Sequence, residues 1–217
     1  MIGEVDAQLG RLIGYLKESG QYDETLFVFS SDHGEMLGDL ERWGKSLPFQ
    51  ASVGVPLYIS GPGVERGVVS NALVSTIDLT ATILEFAGAR LPAIDGRSIR
   101  TLLEGKANSH REYVRSGLGP WRMVFDGRYK LNRYLSPLDH NEPKDVEELF
   151  KWNDVELFDL SRDPLELNNL ALDKEAHAEQ LTAMNKMLNR LIKDEFGKDD
   201  GSELPDLPGV TWTIDRI

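Results

Sequence analysis

A short and almost wholly apolar segment, residues 25–30, is followed at once by the polar pair Asp32 and His33. Such a run is typical of a strand buried on both faces of a parallel sheet, because nearly every side chain needs cover. Residues 55–60 form a second segment of this kind, closed by a Gly-Pro-Gly turn. Any fold for this chain must cover both faces of these two strands.

Helical patterns flank the two strands. Apolar residues recur at spacings of three and four over residues 2–16, and a second helix is predicted for residues 78–86. A helix, a strand, a loop, a strand and a helix in this order favour an α/β fold. We expect residues 1–105 to be part of a mainly parallel sheet flanked by helices.

The pattern changes in residues 106–217. Asp126 and Gly127 separate two strand-like runs and predict a hairpin. Residues 135–149 are polar and are interpreted as a loop, and residues 155–160 as a further strand. Helical spacing then runs from Ala171 to Ile192, before an acidic tail that begins at residue 197. The prediction is a small subdomain with an antiparallel sheet and one long helix.

Composition excludes several classes of protein. The net charge is −12 and is spread evenly along the chain, which argues against binding to a nucleic acid backbone. The longest apolar stretches fall far short of the ~20 residues that cross a bilayer. With no cysteine there is no disulfide, and the start of the chain lacks a secretory signal. The compartment stays open: cytoplasmic, or periplasmic or secreted if a different N-terminus precedes this one.

Asp32 and His33 stand where ligands bind in α/β folds, at the carboxyl end of a strand. A carboxylate and an imidazole form a mixed ligand pair that suits manganese or zinc, and calcium less naturally. Lys45 follows after a short loop and is the type of cation that a sulfuryl or phosphoryl group needs. The alternatives are a turn-capping aspartate, a solvated histidine and an ordinary surface lysine.

Other candidate residues have simpler interpretations. Isolated histidines in polar segments are predicted to be solvated, and three tryptophans are expected to pack in the core or a lid rather than to stack on sugars. These residues are His110, His140, His177, Trp121, Trp152 and Trp212.

Several motifs, in order, resemble the sulfatases of the alkaline phosphatase superfamily. The central one is Asp32-His33-Gly34-Glu35-Met36-Leu37-Gly38-Asp39, followed by Trp43-Gly44-Lys45, Val55-Pro56-Leu57 and Ser60-Gly61-Pro62-Gly63. Later matches include Ser75-Thr76-Ile77-Asp78-Leu79, Pro92, Asp95-Gly96-Arg97-Ser98, Arg128-Tyr129-Lys130-Leu131 and Glu156-Leu157-Phe158-Asp159-Leu160. The resemblance covers nearly all of residues 2–193.

The resemblance implies a hydrolase of sulfate esters, acting on a small molecule or a saccharide. It implies one divalent metal ion, calcium first with manganese or zinc open, bound by Asp32 and His33. Lys45 and His33 are the implied catalytic residues, with Lys45 contacting the sulfate group. Family members use formylglycine, an oxidised cysteine or serine, as nucleophile.

The chain departs from the family pattern at several points. The nucleophile motif and two metal-binding aspartates, which relatives carry upstream, do not occur in this sequence. Leu40 stands where many relatives have a histidine. We therefore expect a C-terminal portion that is inactive alone. Its partner would be the N-terminal part of the same fold, or a second copy that covers an exposed sheet edge.

Two other functions stay open. A phosphonate or phosphate ester hydrolase of the same superfamily would use the same residues, because both groups are tetrahedral anions. A non-catalytic binding or structural module would instead be a stable monomer.

Overall fold

The computed structural model describes residues 2–90, 93–135 and 142–196. In chain order the helices and strands are α1 (Ile2–Glu18), β1 (Phe27–Ser30), α2 (Gln50–Val53), β2 (Leu57–Ser60), α3 (Ile77–Phe86), α4 (Arg100–Leu103), β3 (Val114–Leu118), β4 (Trp121–Phe125), β5 (Tyr129–Leu135), α5 (Val146–Trp152), β6 (Asn153–Asp159) and α6 (Ala178–Phe196). This confirms the α/β class, the small antiparallel sheet and the long helix.

The chain forms two compact units. The first consists of Met1–Asp32 and Pro56–Arg111, and the second of His33–Val55 and Glu112–Ile217. The segment between β1 and β2 thus belongs with the C-terminal half of the chain. The domain boundary predicted between residues 105 and 106 stays a prediction.

In the first unit, β1 and β2 pair with each other in antiparallel register, with Phe27 opposite Ser60. The mainly parallel sheet expected for residues 1–105 has no parallel strand pair among the residues that the structure describes, because apolar patterning reports buried faces and carries no information about a neighbour's direction. Full burial is also wrong: all four β1 residues are half-buried, and Tyr58 in β2 is 68% exposed. A two-stranded sheet leaves much of its surface uncovered.

Asp78 holds the start of α3 in place from a fully buried position. Its carboxylate accepts hydrogen bonds from the Arg111 guanidinium and from the backbone amides of Ser75 and Arg97. Burial would raise the pKa of this carboxyl, but these hydrogen bonds outweigh burial and lower it. His110 was predicted to be solvated, which is wrong: its Nε2 lies 3.3 Å from the Asp78 carboxylate and its side chain is 8% exposed.

In the second unit, β3, β4, β5 and β6 form an antiparallel sheet in sequential order. The predicted hairpin is confirmed, since Asp126 and Gly127 connect β4 to β5 and Gly127 has φ of 100°. One face of the sheet packs against α6 in the main core, whose members include Val124, Leu131, Leu157, Leu181, Leu188 and Leu191.

Two predicted boundaries in this unit are wrong. The loop expected over residues 135–149 contains α5, which begins after Asp145 because that side chain accepts a hydrogen bond from the Glu148 amide at 2.8 Å. The helix expected from Ala171 begins at Ala178, and Ala171 lies in a 3₁₀ turn capped by Asn169. Short polar side chains compete for backbone amides and set such boundaries. The rest of that loop, 136–141, and the tail from residue 197 lie outside the described residues.

No helix in the described ranges has the length and apolar character needed to span a bilayer.

Candidate functional site

The residues from His33 to Lys45 form a loop, here called the 33–45 loop, in the second unit. The half-buried His33 ring has Nδ1 2.8 Å from the Gly34 carbonyl oxygen and Nε2 2.6 Å from Lys45 Nζ. A carbonyl can only accept and an ammonium can only donate. These two contacts fit the tautomer of His33 that carries its proton on Nδ1 and its lone pair on Nε2.

Gly34 fastens the start of this loop to α2. Its amide donates a hydrogen bond to the Ser52 carbonyl at 2.8 Å. A Cβ atom at this position would overlap the carbonyl oxygen of Ala51. Glycine is required here because the two backbones approach closely, which holds the adjacent His33 at a set distance from α2.

The loop folds back on itself and so returns Lys45 to His33. The Met36 amide donates to the Gly44 carbonyl, and the Gly38 amide to the Arg42 carbonyl, each at 2.8 Å. The tight path requires left-handed backbone at Leu37, Gly38, Leu40, Glu41, Gly44 and Ser46. Each non-glycine residue in this conformation costs about 1 kcal/mol, so the surrounding contacts must hold the loop in place.

Apolar packing provides part of that support. Met36 is fully buried against Phe49 and Phe158, and Leu40 packs at the side of the same cluster. Leu40 thus has a packing role. Trp121, which is 2% exposed as predicted for a core residue, donates from Nε1 to the Ser46 carbonyl at 2.8 Å. These contacts attach both ends of the loop to one face of the β3–β6 sheet.

A buried ion pair between Lys130 and Glu166 supports the start of α2. Lys130 Nζ lies 2.6 Å from Glu166 Oε1, and the other Glu166 oxygen accepts from the Gln50 amide at 2.5 Å. Burial lowers the pKa of Lys130, although the Glu166 carboxylate opposes this shift. The carboxylate therefore caps α2, which in turn holds Gly34.

A polar cluster that was not predicted from the sequence lies on the same face of the sheet. Glu156 Oε2 accepts from Asn132 Nδ2 and from the Tyr134 hydroxyl, each at 3.0 Å. Burial raises the pKa of both Glu156 and Tyr134. The signal in the sequence was the alternation of Lys130, Asn132 and Tyr134 along β5, which places all three on one face.

Asp32 is exposed and accepts from the Ser31 hydroxyl at 3.4 Å. It is the last residue of the first unit, whereas His33 and Lys45 lie in the second, where the structure brings the latter two together.

The donor types of His33 and Asp32, an imidazole nitrogen and a carboxylate oxygen, are ones that divalent metal ions accept. Metal-ligating histidines usually donate their other ring N–H to a carbonyl or carboxylate, as His33 does to Gly34. Asp32 adds a carboxylate oxygen. Across the part of the chain that the structure describes, no group of three or more His, Cys, Asp or Glu side chains is placed to hold a metal ion.

Of the other candidate residues, His177 is half-buried. His140, Trp212, Pro92 and the side chain of Trp152 lie outside the described residues.

Comparison with known proteins identifies close relatives. Residues 1–89 match the sulfatase family model. An arylsulfatase of Clostridium perfringens is 30% identical over 209 residues, which are 92% of this chain and 40% of that protein. The multifunctional alkaline phosphatase superfamily protein PehA of Trinickia caryophylli is 37% identical over 182 residues, or 80% of this chain and 35% of PehA.

The fold has a similar counterpart among solved structures. The phosphonate monoester hydrolase SpPMH from Silicibacter pomeroyi matches with a TM-score of 0.75 and 33% sequence identity, over 92% of this chain and 40% of that one. This chain therefore spans two fifths or less of the length of these relatives. Residues 1–89 thus carry a sulfatase family domain, and most of the chain is similar to sulfatases and related hydrolases of the alkaline phosphatase superfamily.

Proposed function

We propose that this chain forms part of a metal-dependent sulfuric ester hydrolase. The observation that carries the proposal is the 2.6 Å contact between Lys45 and His33, which brings together a side chain suited to bind an anion and one suited to bind a metal ion. The arylsulfatase relative supports sulfate esters as the substrate class. The alcohol of the ester, whether a small molecule or a saccharide, is not specified by these residues.

In this proposal Asp32 and the Nε2 atom of His33 hold the metal ion, with calcium expected from the family and manganese or zinc from the donor types. The ion, when bound, withdraws charge from the sulfate oxygens and acidifies an attacking hydroxyl group. The Gly34 carbonyl accepts the hydrogen bond from Nδ1 in this arrangement, so the lone pair of His33 is on Nε2, the atom that would bind the ion.

Lys45 binds the substrate anion in this proposal. Its ammonium group carries three donors on a flexible stem and can contact a sulfate oxygen and the ester oxygen. As the ester bond breaks, the ammonium compensates the charge that develops on the leaving alcohol. Further ligands and the formylglycine nucleophile would come from sequence other than these 217 residues.

Hydrolysis of phosphonate or phosphate esters is the second candidate. The similarity to SpPMH favours it, because the same lysine and ligands suit a tetrahedral phosphoryl group. Rates measured on matched aryl sulfate and aryl phosphonate esters decide between the two: the sulfatase proposal expects the higher kcat/KM on the sulfate.

Two substitutions test the residue roles in the active protein. Asp32→Ala is expected to lose bound metal and activity together, because it removes a ligand. Lys45→Ala is expected to keep the metal and to lose about 100-fold or more in rate, since it removes an electrostatic donor. Metal content is measured by elemental analysis beside the rate. Full metal occupancy in Asp32→Ala would refute the ligand assignment.

A further inference from the structure

The Lys45 ammonium is directed at the one atom of His33 that can bind a metal ion. Nδ1 carries the proton and contacts the Gly34 carbonyl, so Nε2 holds the only ring lone pair, and Lys45 Nζ lies 2.6 Å from it. A metal-bound imidazole nitrogen lies about 2.1 Å from its ion. An ammonium group and a metal ion therefore cannot share this lone pair.

The surroundings allow Lys45 to leave without rearranging the loop. The backbone on both sides is fastened, by the Met36 amide to Gly44 and by the Trp121 indole to Ser46. The Lys45 side chain itself is exposed. Its four-carbon stem can swing on a nanosecond timescale while the backbone stays in place.

We propose that Lys45 is an internal stand-in for the metal ion: it occupies His33 Nε2 when no metal is bound and is displaced when metal binds. This proposal rests on the metal-ligand role of His33 given above. Once displaced, the ammonium is free to bind the substrate anion. Metal and anion therefore strengthen each other's binding, because each draws one partner out of the Lys45–His33 contact.

The first test is a calorimetric titration of the purified protein with Zn²⁺ alone. Lys45→Met keeps the length of the side chain and removes the competing ammonium group. If the contact is populated in most molecules, this variant binds Zn²⁺ roughly threefold to tenfold more tightly than the wild type. An unchanged or weaker affinity overturns the proposal.

Arg42→Met is the matched control for charge. Arg42 lies in the same loop and stacks on Phe49 rather than contacting His33. Its removal changes the net charge equally, so it measures the long-range repulsion that salt screens. We expect a change of less than about twofold. An increase equal to that of Lys45→Met would show that repulsion alone explains the effect and would overturn the proposal.

His33→Ala separates this inference from the proposed function. Loss of Zn²⁺ binding in His33→Ala, with no gain in Lys45→Met, rejects the stand-in role and retains the ligand role. Unchanged binding in His33→Ala rejects the ligand assignment and the stand-in role with it. Circular dichroism spectra establish that each variant is folded.

A nitrogen NMR measurement on the metal-free protein tests the contact without any titration. The unprotonated Nε2 signal of His33, assigned by its loss in His33→Ala, is expected to shift in Lys45→Met because its hydrogen bond disappears. The Nδ1 signal keeps its protonated character, since the bond to Gly34 remains. An unchanged Nε2 signal means that the contact is absent in solution and contradicts the proposal.

Coupling between the two ligands is the third readout. Sulfate, compared with chloride at equal ionic strength, is expected to raise the Zn²⁺ affinity of the wild type and to leave that of Lys45→Met unchanged. Equal sulfate effects in the two proteins would contradict the role of Lys45 in the coupling.

Discussion

At the scale of single residues, Gly34 determines where His33 lies. Its amide bonds to Ser52, and its missing side chain lets the strand-end loop approach Ala51. The adjacent imidazole then owes its tautomer to the Gly34 carbonyl. One glycine thus sets both the position and the protonated nitrogen of the proposed metal ligand.

Gly34→Ala is expected to destabilise the second unit by roughly 2 kcal/mol or more, because the new methyl group forces two backbones apart. Metal affinity should fall with stability, as His33 moves. Gly14→Ala is the control: it lies in α1 with open space around its Cβ position, and alanine there is expected to be neutral or to stabilise by about 0.5–1 kcal/mol. Urea denaturation measures both. Equal midpoints for the two variants would contradict this account of Gly34.

At the scale of elements, an ion pair joins the β4–β5 turn to the end of β6. Arg128 donates from Nε and Nη2 to Asp159 Oδ2 at 3.1 and 2.8 Å. The hydrogen bond from Arg128, helped by Ser161, lowers the pKa of Asp159 to about 2 from an ordinary 3.8. The pair thus links the β4–β5 turn to the neighbouring strand β6. The 33–45 loop packs on this same sheet.

The lowered pKa predicts a pH dependence of stability. The unfolded chain takes up a proton at Asp159 at higher pH than the folded chain, so acid favours unfolding. The stabilisation is fully present above about pH 4 and is lost as the pH falls towards 2. Asp159→Asn should therefore be less stable than the wild type at pH 6, and the difference should close between pH 4 and 2 in urea denaturation curves.

Arg128→Met is the partner control for this pH dependence. It keeps the Asp159 carboxylate and removes the guanidinium that lowers its pKa, so it should show the same loss at pH 6 and the same convergence in acid. A difference between wild type and variants that stays constant from pH 6 to pH 2 would contradict the assignment.

At the scale of the whole molecule, the two units differ in how well they cover their apolar surfaces. The second has a core between the sheet and α6. In the first, none of the described α1 side chains is buried, and Ile2 and Val5 are 88% and 55% exposed. Exposed apolar stripes of this kind favour association with another protein surface.

The isolated 217-residue chain is therefore expected to self-associate with rising concentration in sedimentation experiments, despite its net charge of −12. The double substitution Val5→Lys and Leu12→Lys should weaken association, whereas Leu172→Lys, at an exposed apolar site in the other unit, should not. The same preparation, verified by intact mass, is expected not to hydrolyse aryl sulfates. A monodisperse monomer would favour a self-contained module, and measurable turnover would contradict the need for a nucleophile from elsewhere.

Local patterns in the sequence predicted most elements of this fold. Residues 25–30, residues 55–60, the Asp126-Gly127 turn and the helical stripe of α1 all formed the predicted element types, because periodicity and turn chemistry act over a few residues. The antiparallel pairing of β2 with β1 was not predicted. Two apolar strands of equal pattern can pair in either direction, and only the path of the chain between them decides which.

The residues of the proposed site were likewise visible in the sequence, and their support was not. Asp32 and His33 follow a strand and Lys45 follows a glycine-rich loop, so their types and spacing indicated anion and metal chemistry. Glu166 caps α2 by accepting a hydrogen bond from the Gln50 amide, and the two residues are 116 positions apart in the sequence. Contacts at such separations leave no local pattern.

The sequence by itself determined which side chains can act as ligands and as an anion-binding cation, because donor type is a property of the residue. Only the tertiary structure decided that the His33 proton lies on Nδ1 and that Lys45 meets Nε2. Both outcomes depend on a loop that turns back through left-handed residues and is held by Met36 and Trp121. That path is a result of packing against the sheet, which no short stretch of sequence encodes.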